Sequence, residues 1–212
     1  MTELTLEQKQ HAYDELREIK ANLAARGWFP ATSGNLSVRV GEFTPENFTF
    51  AVTSSGKDKS LQSPEDFLLV NEKGTPVEAT RLKPSAETLI HCEIYKYTGA
   101  GAILHVHTMF NNLASELYGD EGSIPVEGIE IIKALNIWEE DAKIRIPVLP
   151  NYADIPKIAE LVQGAIVPRI PGIVLRKHGI YAWGANVAEA KRHLEAFEFM
   201  FEYVYRWHLL KK

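Results

Sequence analysis

Apolar residues recur at helical spacing over 6–26, where Tyr13, Leu16, Ile19 and Leu23 share one face. Thr5 with Gln8 three positions on has capping-box spacing, and Gly27 stands where such a helix would end. The pattern then changes period. Residues 36–40 alternate, and short apolar runs at 48–52, 67–70, 102–106, 172–175 and 180–183 predict strands. Residues 144–149 also alternate; Pro147 cannot donate to a ladder, which predicts an edge strand. Ile124-Pro125-Val126 is extended, and Thr75 to Thr80 is expected to pair back as a hairpin arm after the turn Asn71-Glu72-Lys73-Gly74.

Helical spacing returns in six places. Ser63-Pro64-Glu65-Asp66 predicts a helix start with proline at its first position. Ser85 is a natural N-cap for a helix whose apolar face is Leu89, Ile90, Ile94 and Tyr97. Shorter helices are predicted over 110–117, 128–135 and 155–165. The last and longest begins at Asn186, with Glu189 completing a capping box, and its stripe of Phe197, Met200, Phe201 and Tyr205 reads as core or subunit packing.

Composition narrows the function classes. A chain of 212 residues with 45% apolar and 24% charged residues suits one globular domain over 1–212 with a sizeable core. A formal charge of -5 with no basic run disfavours nucleic acid as a partner. No apolar stretch approaches a membrane span of about 20 residues, and Met1-Thr2-Glu3-Leu4-Thr5 lacks the plan of a signal peptide. The single cysteine, Cys92, forbids an internal disulfide and fits a reducing, cytoplasmic setting.

The chemistry gathers around Ala102-Ile103-Leu104-His105-Val106-His107-Thr108. In a strand, residues two apart face one way, so His105 and His107 would stand side by side, roughly 7 Å apart at the backbone. Two imidazoles so placed can converge on one metal ion, and zinc favours such ligands. Two hydrogen-bonded core histidines would fit the pair alone equally well. His178 stands in a polar corner between two apolar strands, a position from which a third imidazole could join them.

Two loops are candidates for an anion. In Thr32-Ser33-Gly34-Asn35-Leu36-Ser37, Gly34 permits positive φ and close backbone approach, while Asn35 and Ser37 add donors. Thr53-Ser54-Ser55-Gly56-Lys57 offers hydroxyls, a glycine and a lysine at a strand end, which suits a phosphate monoester. Each also reads as a plain turn. Glu87 falls in the first turn of its predicted helix, where the dipole favours a carboxylate whatever its function. Glu130 follows close behind Glu127 on a charged helix face. His11, His91, Cys92, His193 and His208 read as ordinary structural or solvated residues.

Taken in order, Thr32-Ser33-Gly34-Asn35-Leu36-Ser37, Thr53-Ser54-Ser55-Gly56, Lys83-Pro84-Ser85-Ala86-Glu87, His105-Val106-His107 and Lys177-His178-Gly179 resemble the motifs of the class II aldolase/adducin family over nearly the whole chain. The resemblance implies an α/β fold, a three-layer α/β/α sandwich with a mainly antiparallel central sheet. It implies His105, His107 and His178 as ligands of one zinc ion per subunit. Gly34, Asn35, Ser55, Gly56 and Ser85 match the family's sugar-phosphate pocket. Glu87 matches the acid that aldolases of the family use beside the metal, and Glu130 matches the acid/base of a dehydratase branch. That branch is also favoured by Glu127-Gly128-Ile129-Glu130-Ile131-Ile132-Lys133 and by the segment around Arg176 to Gly184.

The expected activity is therefore water loss from a ketose 1-phosphate bearing a methylthio group at C5, in methionine salvage. The expected assembly is a homotetramer with sites between subunits. Two rivals stand beside it: a sugar-phosphate aldolase or pentulose-phosphate 4-epimerase on the same scaffold, and a non-catalytic binding protein of the adducin kind.

Overall fold

The computed structural model describes residues 4–211, so the expectation for the extreme N-terminus rests partly on Met1 to Glu3, outside the described residues. Eight strands form one sheet: β1 Asn35–Thr44, β2 Asn47–Thr53, β3 Phe67–Asn71, β4 Ala102–Val106, β5 Ser123–Glu127, β6 Lys143–Leu149, β7 Gly172–Leu175 and β8 Gly179–Gly184. They lie in the order β3-β2-β1-β4-β8-β7-β6-β5. Neighbours are antiparallel except β6 and β7, so the sheet is mixed but mostly antiparallel.

The central strands β4, β7 and β8 are buried along their whole length, and a strand buried on both faces must be covered on both. Alternation assigns the two faces. Leu36, Leu104, Val106, Val174 and Ile180 pack with Leu16 and Leu23 of α1 (Leu6–Ala25) and Phe197 and Phe201 of α5 (Val187–Leu210). Ile103, Ile173, Leu175 and Tyr181 face the other way, onto Ile90, Ile94 and Tyr95 of α2 (Thr88–Thr98) and Ile158 and Val162 of α4 (Ile155–Ala165). A further helix, α3 (Met109–Leu117), follows β4 directly and packs on α5. The expected three-layer arrangement is thus borne out.

Several local expectations are corrected. Ser63 to Asp66 is a turn, because Asp66 is drawn inward to a buried ion pair with Lys20 at 2.5 Å. The segment after Gly74 makes only an isolated bridge, Val70 with Pro76, rather than a hairpin arm. β6 is an interior strand and β5 is the edge. Pro147 is tolerated because pairing with β7 begins at Val148, one residue later. Residues 130–135 form a 3-10 helix. At α5, Asn186 caps Glu189 N–H, but the Glu189 carboxylate takes the Ala185 N–H, so the box is not closed on Asn186.

Candidate metal centre

The alternation of β4 puts His105, and His107 just past its end, on the α2 side, with ring centroids 4.7 Å apart. His178 comes from the corner between β7 and β8, where its N–H returns to the Leu175 carbonyl at 3.1 Å. Its ring lies 5.2 Å from that of His105 and 4.5 Å from that of His107. One ring nitrogen from each falls within 4.8 Å of the others. Helix α3 ties the two segments together: Asn111 donates to the Val106 carbonyl at 3.3 Å and Asn112 to the His178 carbonyl at 2.8 Å.

On His105 and His178 the ring nitrogen facing away is occupied. His105 Nδ1 donates to the Ile180 carbonyl at 2.9 Å, and His178 Nδ1 lies 3.2 Å from Asn151 Oδ1. A neutral imidazole that donates from Nδ1 leaves Nε2 as a bare lone pair. Burial holds His105 neutral, and burial, then His105 and His178, bring His107 down to about 3. His105 Nε2 and His107 Nε2 stand only 2.9 Å apart. Three imidazole nitrogens that lie within 4.8 Å of one another are a donor set that fits a divalent metal.

Glu87 joins this cluster. α2 starts at Thr88, so Ser85 is not its cap; Glu87 occupies the capping position but makes no side-chain cap bond. Its carboxylate instead reaches the sheet. Oε1 lies 2.9 Å from His178 Nε2 and Oε2 3.2 Å from His105 Nε2, while Oε2 also accepts from Asn35 Nδ2 at 2.6 Å. Burial alone would raise its pKa; protonation of His105 or His178 beside it pulls it well below the usual carboxylate range.

The loops expected to hold phosphate lie beside this cluster. Gly34 sits at φ +73°, and a β-carbon there would stand 2.7 Å from the His105 carbonyl oxygen. Ser55 N–H donates to Lys83 O at 2.8 Å and Ser85 N–H to Thr53 O at 3.2 Å, which stitches the Thr53–Gly56 loop to the Lys83–Ser85 stretch. Asn35 is 2% exposed and its amide is engaged inside the protein. Lys57 points outward to Glu65 at 2.6 Å.

Two residues escaped sequence reasoning. Lys59 is 4% exposed and donates to the Thr32 carbonyl at 2.9 Å, beneath the loop that leads to Gly34; its burial depresses its pKa. His91 is fully buried between Asn35 and Ser37 rather than an ordinary helix residue. Its signal was available: a histidine four positions after Glu87 lies on the same helix face.

Glu130 is placed elsewhere. It opens the 3-10 helix with its side chain 83% exposed, paired to Lys133 at 2.9 Å. It lies beside Ile129, Ile131, Phe199 and Tyr203, an exposed apolar surface.

Known proteins resemble this chain. The family profile described as Class II Aldolase and Adducin N-terminal domain matches residues 14–205. The chain is 58% identical over 200 residues to methylthioribulose-1-phosphate dehydratase of Geobacillus sp. (strain WCH70), covering 94% of this chain and 92% of that protein. It is 53% identical over 196 residues to the protein of the same name from Bacillus subtilis (strain 168), covering 92% of each. Among solved structures, L-fuculose-1-phosphate aldolase from Thermus thermophilus matches with a TM-score of 0.69 at 25% identity, over 95% of this chain and 97% of that one. Another L-fuculose 1-phosphate aldolase, 21% identical, matches in fold with a TM-score of 0.77 over 100% of this chain and 92% of its own.

Proposed function

The chain belongs to the class II aldolase and adducin family, and from that premise we propose that it dehydrates 5-methylthioribulose 1-phosphate to 5-methylthio-2,3-dioxopentyl phosphate in methionine salvage. The observation that carries the chemistry is the meeting of His105, His107 and His178 with an ionised Glu87. The family typically uses a divalent metal. Three imidazoles with a position left open suit zinc, one per chain. When bound, the metal supplies Lewis acidity toward the C2 carbonyl of the ketose.

The residues of this chain do the rest. Gly34, Ser55, Gly56 and Ser85 hold the phosphate, with the buried Lys59 ammonium adding charge behind the first loop. Asn35 acts on Glu87 rather than on the phosphate. Glu87, already ionised, takes the proton from C3. The C4–O bond then breaks, and the hydroxyl leaves as water once a proton reaches it. The remaining enol becomes the 2,3-diketone.

Glu130 supplies that proton from a neighbouring copy. Its exposed position beside Phe199 and Tyr203 supports a homotetramer in which this apolar surface is covered and sites lie between subunits. Only the dehydratase should release water from the methylthio substrate. An assay that separates water loss from C3–C4 cleavage, run also with fuculose 1-phosphate and ribulose phosphates, tests this. C3–C4 cleavage or epimerisation as the fastest reaction would overturn it.

A further inference from the structure

A chain of buried hydrogen bonds leads from the metal centre into the core. Asn35 Nδ2 donates to Glu87 Oε2 at 2.6 Å, and Asn35 Oδ1 lies 2.5 Å from His91 Nε2. His91 Nδ1 lies 2.7 Å from Ser37 Oγ, which is 2.8 Å from Tyr95 Oη. Asn35, His91, Ser37 and Tyr95 are all buried. Strand alternation puts Asn35 and Ser37 on the same face of β1, toward α2, which carries His91 and Tyr95.

The direction of every bond follows from one end. The Glu87 carboxylate only accepts, so the Asn35 amide must turn its NH2 toward it. The Asn35 oxygen then faces His91, whose Nε2 must carry the proton. Burial keeps that imidazole neutral, its pKa brought down to about 3, so Nδ1 is bare and accepts from Ser37. Ser37 in turn accepts from the Tyr95 hydroxyl. We propose that His91 is a positioning residue which, through Asn35, fixes the Glu87 carboxylate against the three histidines.

An apolar layer would pack between β1 and α2 without desolvating four polar groups, so their presence is a cost that a function offsets. Without the His91 N–H, nothing prevents the Asn35 amide from rotating its oxygen toward Glu87. The carboxylate would then lose its donor and meet a repelling dipole. The inference rests on the proposed catalytic role of Glu87.

The test compares His91→Phe, which fills the space without a donor, with His91→Gln, whose amide can donate to Asn35 and accept from Ser37. In metal-loaded enzyme, His91→Phe should lower kcat about 10- to 100-fold, with KM and metal content unchanged. His91→Gln should recover most of that loss. Nitrogen-15 NMR of wild-type holoenzyme should find the His91 proton on Nε2 and Nδ1 bare. Unchanged kcat in His91→Phe, no recovery in His91→Gln, or a proton on Nδ1 overturns the proposal. If His91→Phe does not fold, the ring tautomer together with kcat of His91→Gln decides. If Glu87→Gln itself turns over normally, the catalytic role of Glu87 falls, while the tautomer measurement still judges the hydrogen-bond chain.

Discussion

Gly179 lies so close to Val106 that a β-carbon on it would collide with the Val106 carbonyl oxygen and stand 2.9 Å from ring carbons of both His105 and His107. The absence of a side chain at this corner is what lets β8 close on β4 and bring His178 to the other two rings. Gly179→Ala should therefore push His178 away, weaken metal binding and cost about 1–3 kcal/mol of stability through overpacking. Metal titration and thermal unfolding check both; wild-type metal affinity would show that the corner can yield.

The metal and the two acids separate by substitution. Wild-type protein should hold close to one zinc per chain, and His105→Ala should hold none. Glu130→Gln should keep its zinc and lose turnover. Because Glu130 is assigned to a neighbouring subunit, mixing inactive His105→Ala and Glu130→Gln subunits should restore part of the activity, since some sites then combine an intact metal centre with an intact Glu130. Elemental analysis and assay of reassembled mixtures check this; mixtures that stay inactive would remove Glu130 from the role.

Acid should destabilise the metal-free protein. His91 and His107 both have folded pKa values near 3, below the usual histidine value. Between about pH 6.5 and 3 the unfolded chain therefore binds protons that the folded chain refuses, and stability falls as pH falls through that window. Above it their contribution is fully present. Glu198 pulls the opposite way: burial raises it to about 7, so its contribution is lost as pH rises from the ordinary carboxylate value toward 7. Unfolding midpoints of chelator-treated Glu198→Gln across pH 4–8 should isolate the histidine slope, and a flat profile would contradict it.

Phosphate recognition gives a fourth expectation. The dephosphorylated sugar should bind much more weakly than the phosphate ester. Lys59→Met should raise KM for the ester, because it removes both a buried positive charge and the bond that anchors Thr32. Its kcat at saturation should change far less. Equal affinity for both sugars, measured calorimetrically, would place the phosphate elsewhere.

The periodic elements were legible because local pattern decides them. The Leu6–Ala25 helix, the buried runs at β4 and β7, and the Asn186 cap depend on residues close in sequence. The failures came where a distant partner intervened. Asp66 leaves helical form to meet Lys20, and Pro147 sits inside the sheet because its neighbour begins one residue later. Lys57 drew notice as the loop cation, yet it is Lys59 that the fold buries under Thr32.

By itself the sequence determined which residue types are present and in what order: two histidines at strand spacing, a third beside a glycine, and two glutamates to choose between. Only the tertiary structure placed Glu87 against the imidazoles and Glu130 on the surface. The reason is physical. Period and capping are interactions among near neighbours, whereas the position of a carboxylate relative to rings 18 and 91 residues away is fixed by how β1, β4, β8 and α2 pack.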